Sequence, residues 1–269
     1  MSEHPTATIA GTVDPPPPAG PAPAVMLRGV TKVYGGGRSA VAALDRVDLD
    51  VAVGELVCVV GASGCGKSTL LNLLAGLDEP TAGDISVVGR TGLMFQESAL
   101  FPWLTVAGNV DLALKLRKVP RAERRERVGS LLETVRLEQF AGRRPHELSG
   151  GMRQRVALAR TFAQDADVLL MDEPFGALDA MTRDVLHDEL ERLYQERHLT
   201  VLFVTHNVRE AARLADRIVV LSSRPGHVTA TVDVPVERPR TIESPAVSGL
   251  AAQITALLRQ EVRRHAVDR

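Results

Sequence analysis

Cysteine, excess charge and long apolar runs are all scarce in this chain, and each shortage argues against a class of protein. Its two cysteines, Cys58 and Cys65, have no second pair, which excludes a disulfide framework or a cysteine-built zinc site and suits a reducing cytosol. The 32 basic and 33 acidic residues leave a formal net charge of −1, so charge does not favour nucleic acid as the main partner. The longest apolar runs, such as ELVCVVGA, are shorter than the roughly 18 residues of a membrane span, and we recognise no signal peptide.

The two ends of the chain differ in composition from its middle. Residues 1–24 are rich in proline and include four prolines in a row, which predicts a disordered or polyproline-type tail. Towards the other end, Ser244 and Pro245 form a good helix start, and an apolar stripe from Val247 to Leu258 predicts a helix packed on the body. The segment after 235 is too short for an appended regulatory domain, so we expect a helical tail over 236–269 and no such domain.

Between these ends, strand and helix patterns alternate as in an α/β protein. Two strands are predicted over Val25 to Tyr34 and Val41 to Val51, and ELVCVV, VLLM (168–171) and TVLFVT (200–205) are continuous apolar runs typical of buried strands. DRIVVLSS and GHVTATVDV predict further short strands. The region from about 105 to 165 has no comparable strand, so we expect an inserted helical subdomain there.

One loop carries the pattern of a phosphate-binding P-loop. GASGCGKST places Gly61 and Gly66 around four residues, followed by Lys67 and Ser68, after an apolar strand and before a helix. Glycines let the backbone N–H groups face phosphate oxygens, the lysine adds a charge, and the serine hydroxyl can ligate Mg²⁺. The candidate nucleotide-binding residues of this loop are Gly61, Ala62, Ser63, Gly64, Cys65, Gly66, Lys67, Ser68 and Thr69. Cys65 should also make the site sensitive to bulky thiol reagents.

Two neighbouring carboxylates follow the apolar run VLLM. Asp172 ends the predicted strand, where it can hold Mg²⁺ directly or through water. Glu173 comes next, and because the backbone turns at a strand end, both side chains can face one site. Glu173 is therefore the candidate that orients or deprotonates an attacking water, with a solvated loop carboxylate as the alternative.

With LSGGMRQR (148–155) and LLMDEPFGALD (169–179) added to the P-loop, the chain resembles the ATP-binding-cassette ATPases over about 26–235. The resemblance implies an ATP- and Mg²⁺-dependent P-loop core with an antiparallel β subdomain and a helical insertion at about 98–165. It also implies a head-to-tail homodimer, in which Ser149, Gly150 and Gly151 cradle the γ-phosphate of the partner's ATP. Asp179 would communicate across that dimer. The alternative for SGG is a flexible helix cap.

Three further positions match the same family. Gln96 matches the glutamine that contacts Mg²⁺ and water, His206 the histidine that contacts the γ-phosphate, and Tyr34 the aromatic residue that stacks on adenine. Each has a simpler alternative: a surface loop residue for Gln96, a structural histidine for His206 and an ordinary strand residue for Tyr34. The implied catalytic set is Glu173, His206 and Gln96, and the implied metal ligands are Ser68, Gln96 and Asp172.

The segment MFQESALFPWLTVAGNV narrows the resemblance to the ATPase subunits of nitrate, sulfonate and taurine importers, and SSRPGHV fits the same group. This implies a permease partner in the membrane, a peripheral position on the cytoplasmic side of the cell membrane, and an indirect link to a periplasmic or lipid-anchored solute-binding protein. Trp103 and Leu104 would suit the permease contact if exposed; the alternative is that Trp103 packs within the helical lobe.

Two other functions compete with an importer subunit. A soluble cassette ATPase of DNA repair or translation would resemble chains with long coiled-coil insertions or two cassettes, and this sequence has neither. A P-loop kinase or GTPase has no use for LSGG, and the guanine-reading pattern Asn-Lys-x-Asp does not occur here. Copurification with an integral membrane protein would separate the importer from both.

Overall fold

The structure, a computed structural model, describes residues 23–267. The proline-rich tail predicted over 1–24 therefore lies outside the described residues except for its last two positions. Ala24, which the sequence analysis includes in the tail, is buried in the core.

Residues 23–267 contain nine strands and seven α-helices, joined by loops and short 3₁₀ turns. The strands are β1 (Val25–Tyr34), β2 (Val41–Val51), β3 (Leu56–Val60), β4 (Ala82–Val87), β5 (Thr91–Met94), β6 (Val168–Asp172), β7 (Thr200–Thr205), β8 (Arg217–Leu221) and β9 (Val228–Asp233). The helices are α1 (Lys67–Leu74), α2 (Val106–Leu116), α3 (Arg121–Thr134), α4 (Gly150–Phe162), α5 (Ala180–Arg197), α6 (Val208–Leu214) and α7 (Pro245–Val267).

The main sheet has six strands in the order β5-β6-β7-β3-β8-β9. All its neighbouring pairs are parallel except β8 with β9. Every residue of β3, β6 and β7 is buried, because both faces of these strands are covered; this confirms the apolar runs as central strands. Since parallel strands end at one edge of a sheet, the loops after β5, β6, β7 and β3 meet there.

A second, antiparallel sheet of three strands has the order β2-β1-β4. Its inner face packs with α1 and one face of the main sheet in a shared apolar core. This sheet is the predicted antiparallel β subdomain, and it carries Tyr34 at the end of β1.

The chain between β5 and β6 is helical in the described structure, as predicted. It contains α2, α3 and α4 with short 3₁₀ turns, and α4 packs against β5 as well as against α2 and α3. The limits of this subdomain, about 98–165, stay a prediction.

The last helix, α7, packs on α6. Val247, Ala251 and Ile254 are buried, which confirms the apolar stripe as a packing face. Arg240, just before α7, is also buried and donates hydrogen bonds to the carbonyls of Ala215 and Val236. The helical tail is therefore part of the folded body.

Candidate functional site

The loop between β3 and α1 has the shape of a phosphate cradle. Gly64 and Gly66 adopt positive φ angles of 77° and 101°, a backbone conformation that glycine adopts at little cost. A Cβ at Gly66 would lie 2.7 Å from the carbonyl oxygen of Ala43, and one at Gly61 would lie 2.7 Å from the sulfur of Cys65. Glycine is thus required at both ends of the loop.

Lys67 begins α1 and is held against this loop. Its ammonium donates hydrogen bonds to the carbonyl oxygens of Gly61 (2.9 Å) and Ala62 (3.0 Å), and the residue is buried. The N-terminus of α1 adds backbone N–H groups and a partial positive charge. The remaining loop residues, Ser63, Gly64, Ser68 and Thr69, are at least partly exposed, so the mouth of the cradle is open to a ligand.

Cys65 is less accessible to thiol reagents than its position in the P-loop predicts. Its side chain is 1% exposed, and burial raises the pKa of the thiol, with the nearby charge of Lys67 opposing. Because thiolate is the reactive form, a buried thiol with a raised pKa reacts slowly. The expected sensitivity to bulky thiol reagents is not supported, and only the backbone of Cys65 can serve the cradle.

Asp172 and Glu173 turn towards the same edge of the sheet. Asp172 is the last residue of β6, and Glu173 leaves the strand with a positive φ of 47°, which is unusual for a residue with a side chain. Burial raises the pKa of Asp172, and the negative charge of Glu173 adds to the rise; a hydrogen bond with Ser68 and the charge of Lys67 oppose it. Ser68 therefore lies close enough to Asp172 to affect its pKa.

Gln96, Glu173 and His206 come together from the ends of three neighbouring strands. The Gln96 amide Nε2 donates to Glu173 Oε2 at 3.4 Å, and His206 Nδ1 lies 3.1 Å from Glu173 Oε1. Gln96 follows β5, Glu173 follows β6 and His206 follows β7, so the strand order alone explains the meeting. Glu173 is mostly buried and His206 largely exposed.

The LSGG segment lies on a different element. Ser149 caps the N-terminus of α4, where its hydroxyl accepts a hydrogen bond from Met152 N at 3.2 Å, and Ser149 and Gly150 are exposed. A Cβ on Gly151 would lie 3.3 Å from the carbonyl oxygen of Ala177, so this glycine packs against the GALD segment. Among the described hydrogen bonds, none joins residues 149–151 to the P-loop of the same chain.

Asp179 caps the next helix in the same manner. Its carboxylate accepts a hydrogen bond from Thr182 N at 2.9 Å, and hydrogen bonds from Thr182 hold the pKa of Asp179 below its usual range. The exposed residues of the GALD segment, Gly176, Ala177 and Asp179, form one surface with the exposed start of α4.

Tyr34 is half-exposed at the end of β1, and two residues that the sequence analysis did not identify hold it. Its hydroxyl donates to Asp78 Oδ2 at 2.9 Å, and Lys32 Nζ lies 4.9 Å from the ring centroid. Lys32 also donates to Asp78, so the two contacts share one carboxylate. These ties fix the orientation of a ring that stays available for stacking.

The turn 222–227 contacts the P-loop and β2, and the sequence analysis did not identify these contacts. Arg224 Nε donates to the carbonyl of Gly64 at 3.2 Å, and Gly226 N donates to that of Ala43 at 2.9 Å. A Cβ on Gly226 would collide with the Cys65 carbonyl oxygen. The segment SSRPGHV indicates similarity to one group of ATPases, but no local pattern can predict a contact between residues 160 positions apart.

Trp103 lies on the surface, which decides between the two alternatives for this residue. It is 68% exposed, and its ring contacts Phe101 with centroids 5.5 Å apart. Asn109 is buried beneath and pins the turn through hydrogen bonds with the backbone N and O of Phe101. The tryptophan is therefore presented by a rigid turn and does not pack within the helical lobe.

Among the residues described, no helix is both long and apolar enough to span a membrane.

Comparison with known proteins links this geometry to one family. Residues 44–176 match the family model described as ABC transporter. An uncharacterized ABC transporter ATP-binding protein of Methanocaldococcus jannaschii is 44% identical over 241 residues, which are 87% of this chain and 90% of that protein.

Two further relatives are named for import. The nitrate import ATP-binding protein NrtD of Synechocystis is 46% identical, over 77% of this chain and 81% of its own length. The taurine import ATP-binding protein TauB of Rhizobium johnstonii is 45% identical, over 82% of this chain and 87% of its own length.

A similar solved structure is that of the ATP-binding cassette MJ0796, as a dimer in a post-hydrolysis state bound to ADP and Pi. It superposes with a TM-score of 0.73 at 35% identity, covering 79% of this chain and 100% of that one.

Proposed function

This chain belongs to the ABC transporter family of ATP-binding proteins, and we propose that it is the ATP-hydrolysing subunit of a bacterial importer. As a member, it is an ATPase, which binds ATP and converts ATP and water to ADP and phosphate. The relatives named for nitrate and taurine import support a nitrate-, sulfonate- or taurine-like solute. The meeting of Gln96, Glu173 and His206 beside the phosphate cradle carries the proposal, because it supplies the groups that hydrolysis needs.

ATP would bind with its phosphates in the loop 61–69. Backbone N–H groups and the ammonium of Lys67 would hold the phosphate oxygens, and the start of α1 would stabilise their charge. Tyr34 would stack on the base, in the orientation that Asp78 and Lys32 hold.

Glu173 would act as the general base in hydrolysis. Its carboxylate is mostly shielded from solvent and lies 3.1 Å from His206 Nδ1, so it is positioned to accept a proton from an attacking water. His206 would contact the γ-phosphate, and the Gln96 amide would orient the water beside Glu173.

The oxygen donors at this edge fit Mg²⁺. Ser68 lies near Asp172, and burial disfavours the charge of Asp172 in a way that a cation would relieve. Hydroxyl, carboxylate and amide oxygens are ligands that Mg²⁺ accepts together with substrate phosphates, so Ser68, Asp172 and Gln96 would hold it. When bound, the ion would neutralise charge on the phosphates.

The exposed start of α4 would serve a second copy of the chain. Ser149, Gly150 and Gly151 make no hydrogen bond to their own P-loop in the described structure, yet they open a helix with its N–H groups towards solvent. In a head-to-tail homodimer they would cradle the γ-phosphate bound by the partner. Asp179, on the same surface, would link the two sites.

The exposed Trp103 supports a contact with a membrane permease on the cytoplasmic side of the cell membrane. An aromatic side chain on a rigid turn is the kind of anchor that dominates protein interfaces. Trp103, Leu104 and the segment 98–110 would receive the permease, and a solute-binding protein would act on the other side of the membrane.

The test is ATPase activity with and without the permease in lipid vesicles. Trp103→Ala should lower the permease-stimulated rate about tenfold, while the rate without permease stays unchanged. Leu116→Ala, which removes another exposed apolar side chain of the same lobe, is the matched control and should change neither rate. If no integral membrane protein copurifies with the chain or stimulates it, the soluble ATPase is the better description.

A further inference from the structure

A buried charged cluster lies directly behind the two loops that carry Glu173 and His206. It consists of Thr205 at the end of β7, His187 on α5, and Glu210 and Arg213 on α6, all at least 95% buried. Charged side chains are rarely buried to this degree unless they are paired. None of these four residues belongs to the phosphate cradle or to the groups proposed to touch ATP.

The first connection runs from Glu210 to the backbone on both sides of His206. The Thr205 hydroxyl donates to Glu210 Oε2 at 2.8 Å, and the same hydroxyl oxygen accepts from Asn207 N at 3.0 Å. Thr205 and Asn207 flank His206 in the chain. One hydroxyl thus ties the residue before His206 and the residue after it to a buried carboxylate.

The second connection runs from Glu210 towards the Glu173 loop. His187 Nδ1 lies 3.1 Å from Arg213 Nη1, and because arginine can only donate, Nδ1 accepts and the ring proton is on Nε2. That nitrogen faces Glu210 Oε1 at 3.6 Å. The His187 ring packs edge-on against Phe175, with centroids 4.6 Å apart, and Phe175 lies two residues after Glu173.

Arg213 and Glu210 also form ion pairs with residues outside the cluster. Arg213 contacts Asp184 at 3.2 Å and also Asp188, while Arg183 Nε lies 3.7 Å from Glu210 Oε1. Glu210 therefore has one oxygen committed to Thr205 and the other facing His187 and Arg183. Displacing this carboxylate would break its hydrogen bond with the Thr205 hydroxyl and move a buried negative charge away from Arg183, and both changes cost free energy.

We propose that Glu210, acting through Thr205 and His187, is a positioning residue that holds His206 and Glu173 in register for hydrolysis. This inference rests on the catalytic roles proposed above for those two residues. Catalytic groups misplaced by about 1 Å can lose about a hundredfold in rate, so a tie of this kind has a large effect on turnover. It has little effect on ATP affinity, because the P-loop is held by other contacts.

The decisive variants differ by a single hydroxyl group. Thr205→Val keeps the shape of the side chain and removes its hydrogen bonds, so kcat should fall about tenfold while the KM for ATP stays within about twofold. Thr205→Ser restores the hydroxyl and should restore kcat. Thr200→Val is the control, because Thr200 is the first residue of the same strand, equally buried and hydrogen-bonded to Gly54 N.

A second pair of variants tests the carboxylate. Glu210→Gln should lower kcat and leave the KM for ATP, since the amide still accepts from Thr205 but no longer balances Arg183. Glu191→Gln is matched, because Glu191 is a buried glutamate paired with Arg238 at 3.1 Å and lies outside the cluster. It should lower the melting temperature without changing kcat.

The inference is overturned if Thr205→Val loses no more kcat than Thr200→Val, or if Glu210→Gln raises the KM in step with its loss of kcat. If Thr205→Val does not fold, the comparison of Glu210→Gln with Glu191→Gln decides the matter. Glu173→Gln, assayed alongside, distinguishes a failure of the proposed function from a failure of the positioning role alone. Retained turnover in that variant contradicts the proposed function itself, whereas its loss beside an unchanged Thr205→Val contradicts only the positioning role.

Discussion

Asp172 illustrates, at the scale of a single residue, how a buried carboxylate proposed to bind Mg²⁺ lowers the stability of the folded protein. Its carboxylate is buried at the end of β6, and burial raises its pKa, as does the adjacent charge of Glu173. A carboxyl group whose pKa is raised in the folded state favours folding when protonated and opposes folding when charged. At neutral pH the charged group therefore destabilises the nucleotide-free protein.

We accordingly predict that Asp172→Asn stabilises the nucleotide-free protein by about 0.5–2 kcal/mol at neutral pH, the range usual for relieving strain at an active site. The gain in stability equals the penalty that the charged Asp172 imposes on the wild-type protein. It is therefore complete above the folded pKa of Asp172 and disappears as the pH falls below the ordinary carboxyl range. Urea unfolding at neutral and at acid pH measures both limits.

The same variant should lose Mg²⁺-dependent hydrolysis, so gain in stability and loss of turnover would occur together. Asp84→Asn, which changes an exposed carboxylate on β4, serves as the control and should alter neither property. A lower melting temperature for Asp172→Asn at neutral pH would contradict the argument.

At the scale of the element, the first turns of α4 and α5 each serve two purposes. The side chains of Ser149 and Asp179 cap the helices within the monomer by accepting from Met152 N and Thr182 N. The N–H groups of Gly150 and Gly151 remain at an exposed helix start, where an anion is favoured. A helix cap and a phosphate site in trans are thus compatible descriptions of the same SGG segment.

We predict that Ser149→Arg lowers the ATPase rate at least tenfold while the Kd of the monomer for ATP changes by less than about twofold, because a bulky cation blocks only the surface offered to the partner. Titration of the monomer with ATP and a turnover assay measure the two quantities. Thr105→Arg is the control, since Thr105 caps α2 through a hydrogen bond from Gly108 N. It suffers the same loss of a cap and should keep its turnover when both variants are assayed without the permease.

A large loss of monomer affinity in Ser149→Arg would place the segment at the chain's own nucleotide and contradict the trans arrangement. Gly151 packs against Ala177, so the SGG segment and Asp179 share one surface. The affinity of the monomer for ATP therefore tests whether this surface contacts the chain's own nucleotide or the partner's.

At the scale of the whole molecule, we expect ATP to hold two copies of the chain together and its hydrolysis to release them. Glu173→Gln should keep ATP binding, lower kcat by about a hundredfold or more, and accumulate as a dimer with ATP and Mg²⁺, because the general base is lost while the phosphate contacts remain. Size-exclusion chromatography with and without ATP measures the change.

The control for that experiment is Glu196→Gln, which alters an exposed glutamate on α5 and should stay monomeric and active under the same conditions. A monomer of Glu173→Gln at saturating ATP would contradict the dimer mechanism.

Much of the fold could be predicted because it depends on local patterns. β1 and β2 have the bounds predicted for the two strand-like segments, and β6 and β7 agree with the runs VLLM and TVLFVT. The P-loop was recognisable because its glycines, lysine and serine are consecutive. The exposure of Trp103 and the burial of Cys65 were not predictable, since each depends on what packs around the residue in three dimensions.

The sequence by itself determined the main elements, the P-loop pattern and the candidate residues for hydrolysis, because periodicity and motif spacing are properties of neighbouring residues. Only the tertiary structure decided which distant loops meet. The order β5-β6-β7-β3-β8 differs from the order of these strands in the chain, and it brings Gln96, Glu173 and His206 to one edge. The same packing sets Arg224 beside Gly64 and Glu210 beneath Thr205. Such contacts follow from how helices and strands bury their apolar faces together, which no short stretch of sequence encodes alone.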